Sequence, residues 1–177
     1  MTNWCLGIFR LIIIIRSIRS IPMDARLLLD NIRSVHNVGS IFRTAETIGI
    51  SRIYCGQTTP CPIDRFKRPR KDFIKVSLGA EKSVAWEHVD DPVALVKNLR
   101  KDGFKVIALE QSGKSIDYKE AKVSDKVLII LGNEVDGVSE SLLNLADEIA
   151  EIPMKGEKES LNVSVAAGVF LYRLLDV

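Results

Sequence analysis

Lys126-Val127-Leu128-Ile129-Ile130-Leu131 decides the fold. After its lysine the run is apolar without alternation, and it stops at Gly132. A strand with one wet face alternates. A strand apolar on both faces is buried on both, as in a parallel sheet covered by helices. Lys105–Leu109 and Ala25–Leu29 read the same way, Arg52–Cys55 gives another strand, and Ile149–Pro153 a last short one. Helical segments separate them. Ile41, Phe42, Ala45 and Ile48 recur at helical spacing, with Asn37 as N-cap and Gly49 as stop. Pro92–Lys101 reads as a helix halted by Asp102-Gly103, Ser139–Ala146 as a helix capped by Ser139, and Leu161–Leu175 as a closing apolar helix. Gln57–Pro69, with three prolines, is a loop. The fold class is therefore α/β, a mainly parallel sheet with helices on both faces. Ligands of such sheets sit beyond the carboxyl ends of the strands, so chemistry is expected in the loops after Leu29, Leu109, Leu131 and Pro153.

The 177 residues suit one globular domain with a small appendage. Lys and Arg number 25 against 23 Asp and Glu, a net charge of +2, so a nucleic-acid role needs a local basic cluster. A content of 46% hydrophobic and 27% charged residues excludes disorder, collagen and a long coiled coil. Cys5, Cys55 and Cys61 show no C-x-x-C spacing, and His36 and His88 are the only histidines. Neither a disulfide framework nor a metal site is expected, and a cytoplasmic setting is. Ile8-Phe9-Arg10-Leu11-Ile12-Ile13-Ile14-Ile15 falls far short of the roughly 18–20 apolar residues that span a bilayer, and no A-x-A cleavage pattern follows it. No membrane partner is expected. Residues 1–22 read as an atypical apolar extension and 23–177 as the functional domain, with Met23 a plausible alternative start.

Common nucleotide and hydrolase motifs are missing. No G-x-G-x-x-G follows a strand and no G-x-S-x-G surrounds a serine. Gly113-Lys114-Ser115 matches the end of a phosphate-binding loop, but Ala108 stands where that motif needs glycine. His36 reads as a capping or solvent-exposed residue.

Three other segments are distinctive. Asn37-Val38-Gly39-Ser40-Ile41-Phe42-Arg43-Thr44-Ala45 fits N-x-G-x-x-x-R-[ST]-A. Leu131-Gly132-Asn133-Glu134-Val135-Asp136-Gly137-Val138-Ser139 fits L-G-x-E-x-x-G-[LV]-S. Ile152-Pro153-Met154 followed by Ser160-Leu161-Asn162-Val163-Ser164-Val165-Ala166 fits I-P-M…S-L-N-V-S-x-A. In this order, from about Ala25 to the C-terminus, they resemble the SpoU/TrmH-type RNA ribose 2′-O-methyltransferases of the SPOUT superfamily. The chain departs from that pattern in having Val135-Asp136 where a glycine usually follows the glutamate, and no RNA-binding domain of the kind many relatives carry is expected before the core.

The resemblance implies a C-terminal deep trefoil knot and a homodimer in which one subunit helps complete the other's site. It implies S-adenosyl-L-methionine as cofactor, held by Leu109, Glu110, Gln111, Leu131, Gly132, Asn133, Ile152, Met154 and Leu161. Gly132 would let the backbone approach the ligand closely, and Ile152, Met154 and Leu161 would flank an adenine face. The catalytic set it implies is Arg43, Asn37, Glu134, Ser160 and Asn162. Arg43 is the base of the family's proposed mechanism. A guanidinium is essentially always charged, so the alternative role is that Arg43 clamps a phosphate and stabilises the developing alkoxide. Asn37 would cap its helix and touch substrate or partner subunit, Glu134 would orient Arg43 or a ribose hydroxyl, and Ser160 and Asn162 would contact phosphate or ribose.

RNA, whether tRNA or rRNA, is the expected partner. Arg65-Phe66-Lys67-Arg68-Pro69-Arg70-Lys71 gathers cations in an otherwise near-neutral chain. Arg65, Lys67, Arg68 and Arg70 are the phosphate-binding candidates, and Phe66 between them offers a face to an unpaired base. The plainer alternative is a solvated loop, with Phe73 and Ile74 entering a strand. The competing functional reading is a catalytically silent RNA-binding module of the same fold.

Overall fold

The computed structural model describes residues 24–177. The extension 1–22 and the Met23 start lie outside the described residues. β1 (Asp24–Asp30) leads through α1 (Val35–Thr47) to β2 (Arg52–Gly56). Then come α2 (Lys71–Ser77), α3 (Ala80–Ser83), β3 (Ala85–Val89), α4 (Pro92–Lys101), β4 (Lys105–Leu109) and β5 (Ile116–Asp117). β6 (Lys126–Gly132), α5 (Glu140–Leu143), β7 (Glu148–Glu151) and α6 (Val163–Leu175) complete the order.

Among the described residues, seven strands form one sheet in the order β3-β2-β1-β6-β4-β7-β5, with all pairings parallel. The unbroken apolar runs explain the core. Leu27, Leu29, Ile107, Ile129 and Leu131 point to one face, beneath α1 and α6. Leu28, Val106, Ala108, Leu128 and Ile130 point to the other, against α4 and α5. Each such Leu or Ile contributes about 1.5–3 kcal/mol by leaving water. α1 buries Val38, Ile41, Phe42 and Ala45, and Phe42 meets Phe73 of α2 edge to face at 5.1 Å. Asp30 lies opposite Gly132, and Leu109 opposite both Leu131 and Ala150. The carboxyl ends of four neighbouring strands therefore finish at one level.

Local details differ from the sequence reading. α1 starts before Asn37, and its cap is Ser34, whose hydroxyl accepts the Asn37 amide. The helix read over Ser139–Ala146 is one turn, Glu140–Leu143, and the Ser139 side chain makes no capping bond. Phe73 and Ile74 belong to α2, not to a strand. His36 is exposed in the first turn of α1.

Candidate active-site cleft

A cleft of about 310 Å³ opens at the carboxyl ends of β4, β6 and β7. All nine residues expected to hold a cofactor line it: Leu109, Glu110 and Gln111 after β4, Leu131, Gly132 and Asn133 at the end of β6, and Ile152, Met154 and Leu161 after β7. Glu134 and Ser160 also face it, as do Val163 of the third motif and Glu159, which lies outside the motifs.

The polar side chains of the wall hold backbone in place. Glu110 accepts the Gln111 amide through Oε1 at 2.8 Å and the Val138 amide through Oε2 at 2.7 Å. Asn133 Oδ1 accepts the amides of Val135 and Asp136 at 2.9 and 2.8 Å, closing a tight turn. The side chains of Glu110 and Asn133 are thus engaged with their own loops. Gly132 is needed for the same reason. A β-carbon there would overlap the Gly137 carbonyl and the Val138 nitrogen, so the space its missing side chain leaves is filled by the returning loop and not by a ligand. Gly137 makes that return at φ 68°, a left-handed conformation in which a β-carbon would also strike the Glu110 carboxylate. Gln111 Nε2 donates to the Glu159 carbonyl at 2.7 Å, joining the segments after β4 and before α6.

The three motifs meet in one hydrogen-bonded chain beside this cleft. Asn37 Nδ2 donates to Glu134 Oε1. Asn37 Oδ1 accepts from Asn162 Nδ2 at 3.1 Å. Asn162 caps α6, its Oδ1 accepting the Ser164 amide at 3.0 Å and hydroxyl at 2.6 Å. Residues far apart in sequence are therefore fixed relative to one another, each amide oriented by the next.

Arg43 stands apart. It is exposed on α1, is absent from the cleft wall, and has no hydrogen-bond or ion-pair partner among the described residues. Six residues beyond Asn37, it sits roughly 9 Å further along the helix and about 120° around it.

The basic segment forms a compact loop built around Asp64. That carboxylate accepts the Phe66 and Arg68 amides at 2.8 and 2.9 Å and pairs with the Arg68 guanidinium at 2.8 Å. The Arg68 amide, with the Arg68 side chain and the Phe66 amide, holds Asp64 below the usual carboxylate range. Phe66 is 61% exposed, with Arg65 and Arg68 guanidinium carbons 4.8 and 4.9 Å from its ring centre. Arg70 pairs with Asp72 at 2.8 Å. Arg65 and Lys67 carry the least compensated charge of the four.

The SpoU rRNA Methylase family model matches residues 24–172. The chain is 32% identical over 149 residues to the tRNA (guanosine(18)-2′-O)-methyltransferase of Aquifex aeolicus, covering 84% of this chain and 67% of that one. It is 32% identical to the 23S rRNA (guanosine-2′-O-)-methyltransferase RlmB of Neisseria meningitidis, covering 82% and 55%. Its fold is similar to the A. aeolicus TrmH/SpoU tRNA modifying enzyme, with a TM-score of 0.77 at 30% identity, covering 87% and 75%. It is also similar to an AdoMet-bound rRNA methyltransferase from Sinorhizobium meliloti, with a TM-score of 0.76 at 26% identity, covering 85% and 55%. The chain spans between about half and two thirds of the length of the two curated relatives.

Proposed function

The chain belongs to the SpoU rRNA methylase family, and from that premise we propose that it transfers a methyl group from S-adenosyl-L-methionine to a ribose 2′-hydroxyl of tRNA or rRNA. One observation carries the reading: the motifs around Asn37, Glu134 and Asn162 converge, by hydrogen bonds, beside a single cleft. The cleft suits the cofactor. Its 310 Å³ lies within the range of small-molecule sites. Apolar Leu109, Ile152, Met154 and Leu161 offer faces to an adenine ring, and strand-end backbone groups offer its edge donors and acceptors.

When bound, S-adenosyl-L-methionine supplies a methyl group already made electrophilic by its sulfonium. What remains for the chain is to align the 2′-hydroxyl oxygen in line with that methyl, exclude water and manage one proton. Glu134, fixed by Asn37, orients a ribose hydroxyl, and Ser160 and Asn162 contact ribose or phosphate. Arg43 either accepts the proton or, remaining charged, clamps a phosphate and stabilises the alkoxide as it forms. Its exposure on α1, away from its own cleft, favours service in the cleft of a second copy, so the working unit is a homodimer. Arg65, Lys67, Arg68 and Arg70 hold the RNA backbone. The reading carries with it the family's C-terminal knot, a domain over 23–177, and a cytoplasmic location. Among the described residues no helix is long and apolar enough to cross a membrane.

Titration calorimetry with S-adenosyl-L-methionine and with ATP, followed by mapping of 2′-O-methyl sites in RNA from cells with and without the active protein, tests this. Binding of the methyl donor alone, and a site that disappears with the protein, is the expected result. Donor binding with no site lost would establish the silent RNA-binding module instead.

A further inference from the structure

We propose that Asp30 is a positioning residue for methyl transfer, holding the loop from Gly132 to Ser139 so that Glu134 meets Asn37; this rests on the role given to Glu134 above. Asp30 ends β1 and is 1% exposed. A carboxylate buried this deeply needs donors, and the donors it has define what it does. Oδ2 accepts the Ser139 amide at 2.8 Å, and Oδ1 accepts Asn31 Nδ2 at 3.1 Å. The preceding amide, that of Val138, goes to Glu110 Oε2 at 2.7 Å. β6 lies between β1 and β4 in the sheet. The loop leaving β6 is therefore tethered at two successive amides by carboxylates from the strands on either side.

Packing holds the loop at two points: Val138 is buried in the core, and Gly137 returns against Gly132. In front is the cleft; behind is a second cavity of about 540 Å³ bounded by Asp30, Asn31, Arg33, Asp136 and Ser139. Asn133 and Gly137 belong to both walls. Between those points, at residues 134–136, open space lies on two sides, so the tilt there depends on hydrogen bonds, and a carboxylate accepting a backbone amide makes one of the stronger kinds. The Arg33–Asp136 pair, at 3.3 Å with side chains 71% and 65% exposed, adds little. Asn133 fixes the first half of the turn and Asp30 anchors its far end, leaving Glu134 aimed at α1.

Asp30→Ala and Asp30→Asn, in the full chain, test this. Asn keeps a carbonyl oxygen for the Ser139 amide and Ala keeps none. Ser139 amide exchange is expected to quicken at least ~10-fold in Asp30→Ala while the β1 amides stay protected. The Glu134 carboxyl carbon resonance should move with it, and both should stay near wild type in Asp30→Asn. Asp30→Leu fills the buried space without an acceptor and serves if Ala leaves too little folded protein. Unchanged Ser139 exchange or an unmoved Glu134 resonance in the acceptor-free variant overturns the proposal. In methyl transfer, kcat should fall about 10-fold in Ala, with KM for S-adenosyl-L-methionine changed less than about 3-fold, and Asn should recover most of the loss. Equal losses in Ala and Asn, or a loss confined to KM, overturn it as well. A wild-type chain that transfers no methyl group would overturn the proposed function instead, and the exchange and resonance readouts would still decide what Asp30 does.

Discussion

The two ends of the sheet use polar side chains in opposite ways. At the amino ends of the strands, Asp24 accepts from Arg26 Nε on both carboxylate oxygens, at 3.0 and 3.1 Å, and from Nη2 at 2.5 Å. Ser51 donates to the same carboxylate. Arg26 reaches Tyr54 Oη at 2.8 Å and lies over the Phe104 ring at 4.5 Å. That end is filled. At the carboxyl ends, carboxylates and amides hold loops around two cavities, and the basic loop after β2 leaves Phe66, Arg65, Lys67 and Arg68 exposed. Substitutions at the carboxyl ends should cost activity out of proportion to stability. Those at the amino ends should do the reverse.

The largest effect is expected at Arg43. Arg43→Ala should lower methyl transfer about 100- to 1000-fold, as loss of one charge-stabilising donor does elsewhere. Cofactor affinity measured by calorimetry should stay within about 2-fold. If Arg43 acts in a partner's cleft, mixing Arg43→Ala with a cleft-defective variant should recover about a quarter of wild-type activity, because half of randomly re-formed dimers keep one intact site. No recovery would break the trans arrangement. Gly132→Ala comes next. Its β-carbon meets backbone, which cannot rotate away, so the loop must shift at a cost of about 1–3 kcal/mol. Cofactor affinity should drop at least ~10-fold by calorimetry. A Gly132→Ala protein that binds normally would show that the loop tolerates the displacement.

The basic loop sharpens the contrast further. Each phosphate contact removed should flatten the salt dependence of RNA binding by about 0.7 in log–log slope for single-stranded RNA. Arg65→Ala with Lys67→Ala should therefore flatten it by about 1.4, and adding Arg68→Ala by less than a full further step, because Asp64 already compensates that guanidinium. An unchanged slope in the triple variant would remove this loop from the RNA-binding surface.

What was legible in the sequence follows the same division. The central strands were readable because a run apolar on both faces has few other solutions, and the loops at their ends carried the motifs. β3 was not, because Ala85-Trp86-Glu87-His88-Val89 is a partly exposed edge strand with no apolar run. Two-residue β5 and the short α2 gave too little periodicity. Asn37 resembled a cap because asparagine favours that position, yet its side chain crosses to Glu134 and Asn162 while Ser34 caps the helix. What the Glu110 side chain and Gly132 do within their own loops was not legible for a related reason. Sequence places them at the cleft but does not say whether a carboxylate faces a ligand or a neighbouring amide. Asp30 carried one unused signal, an acid closing an otherwise apolar strand.

The smallest expected effect lies at the amino end of β1 and is one of pH. The hydrogen bonds from Arg26, helped by Ser51 and nearby cations, hold Asp24 below its ordinary pKa. A depressed carboxylate stabilises the folded state fully above its unfolded pKa of about 3.9, and that contribution disappears as pH falls below this toward the lower folded value. Asp24→Asn should therefore lower stability at pH 7 by about 1–2 kcal/mol, seen as a Tm drop of a few degrees. The difference from wild type should shrink below about pH 4, while methyl transfer at pH 7 stays within about 2-fold. Thermal unfolding of the two proteins from pH 7 to pH 3 measures it. A gap that persists at pH 3 would mean Asp24 contributes through packing, and a loss of activity at pH 7 would mean the two ends of the sheet are not independent.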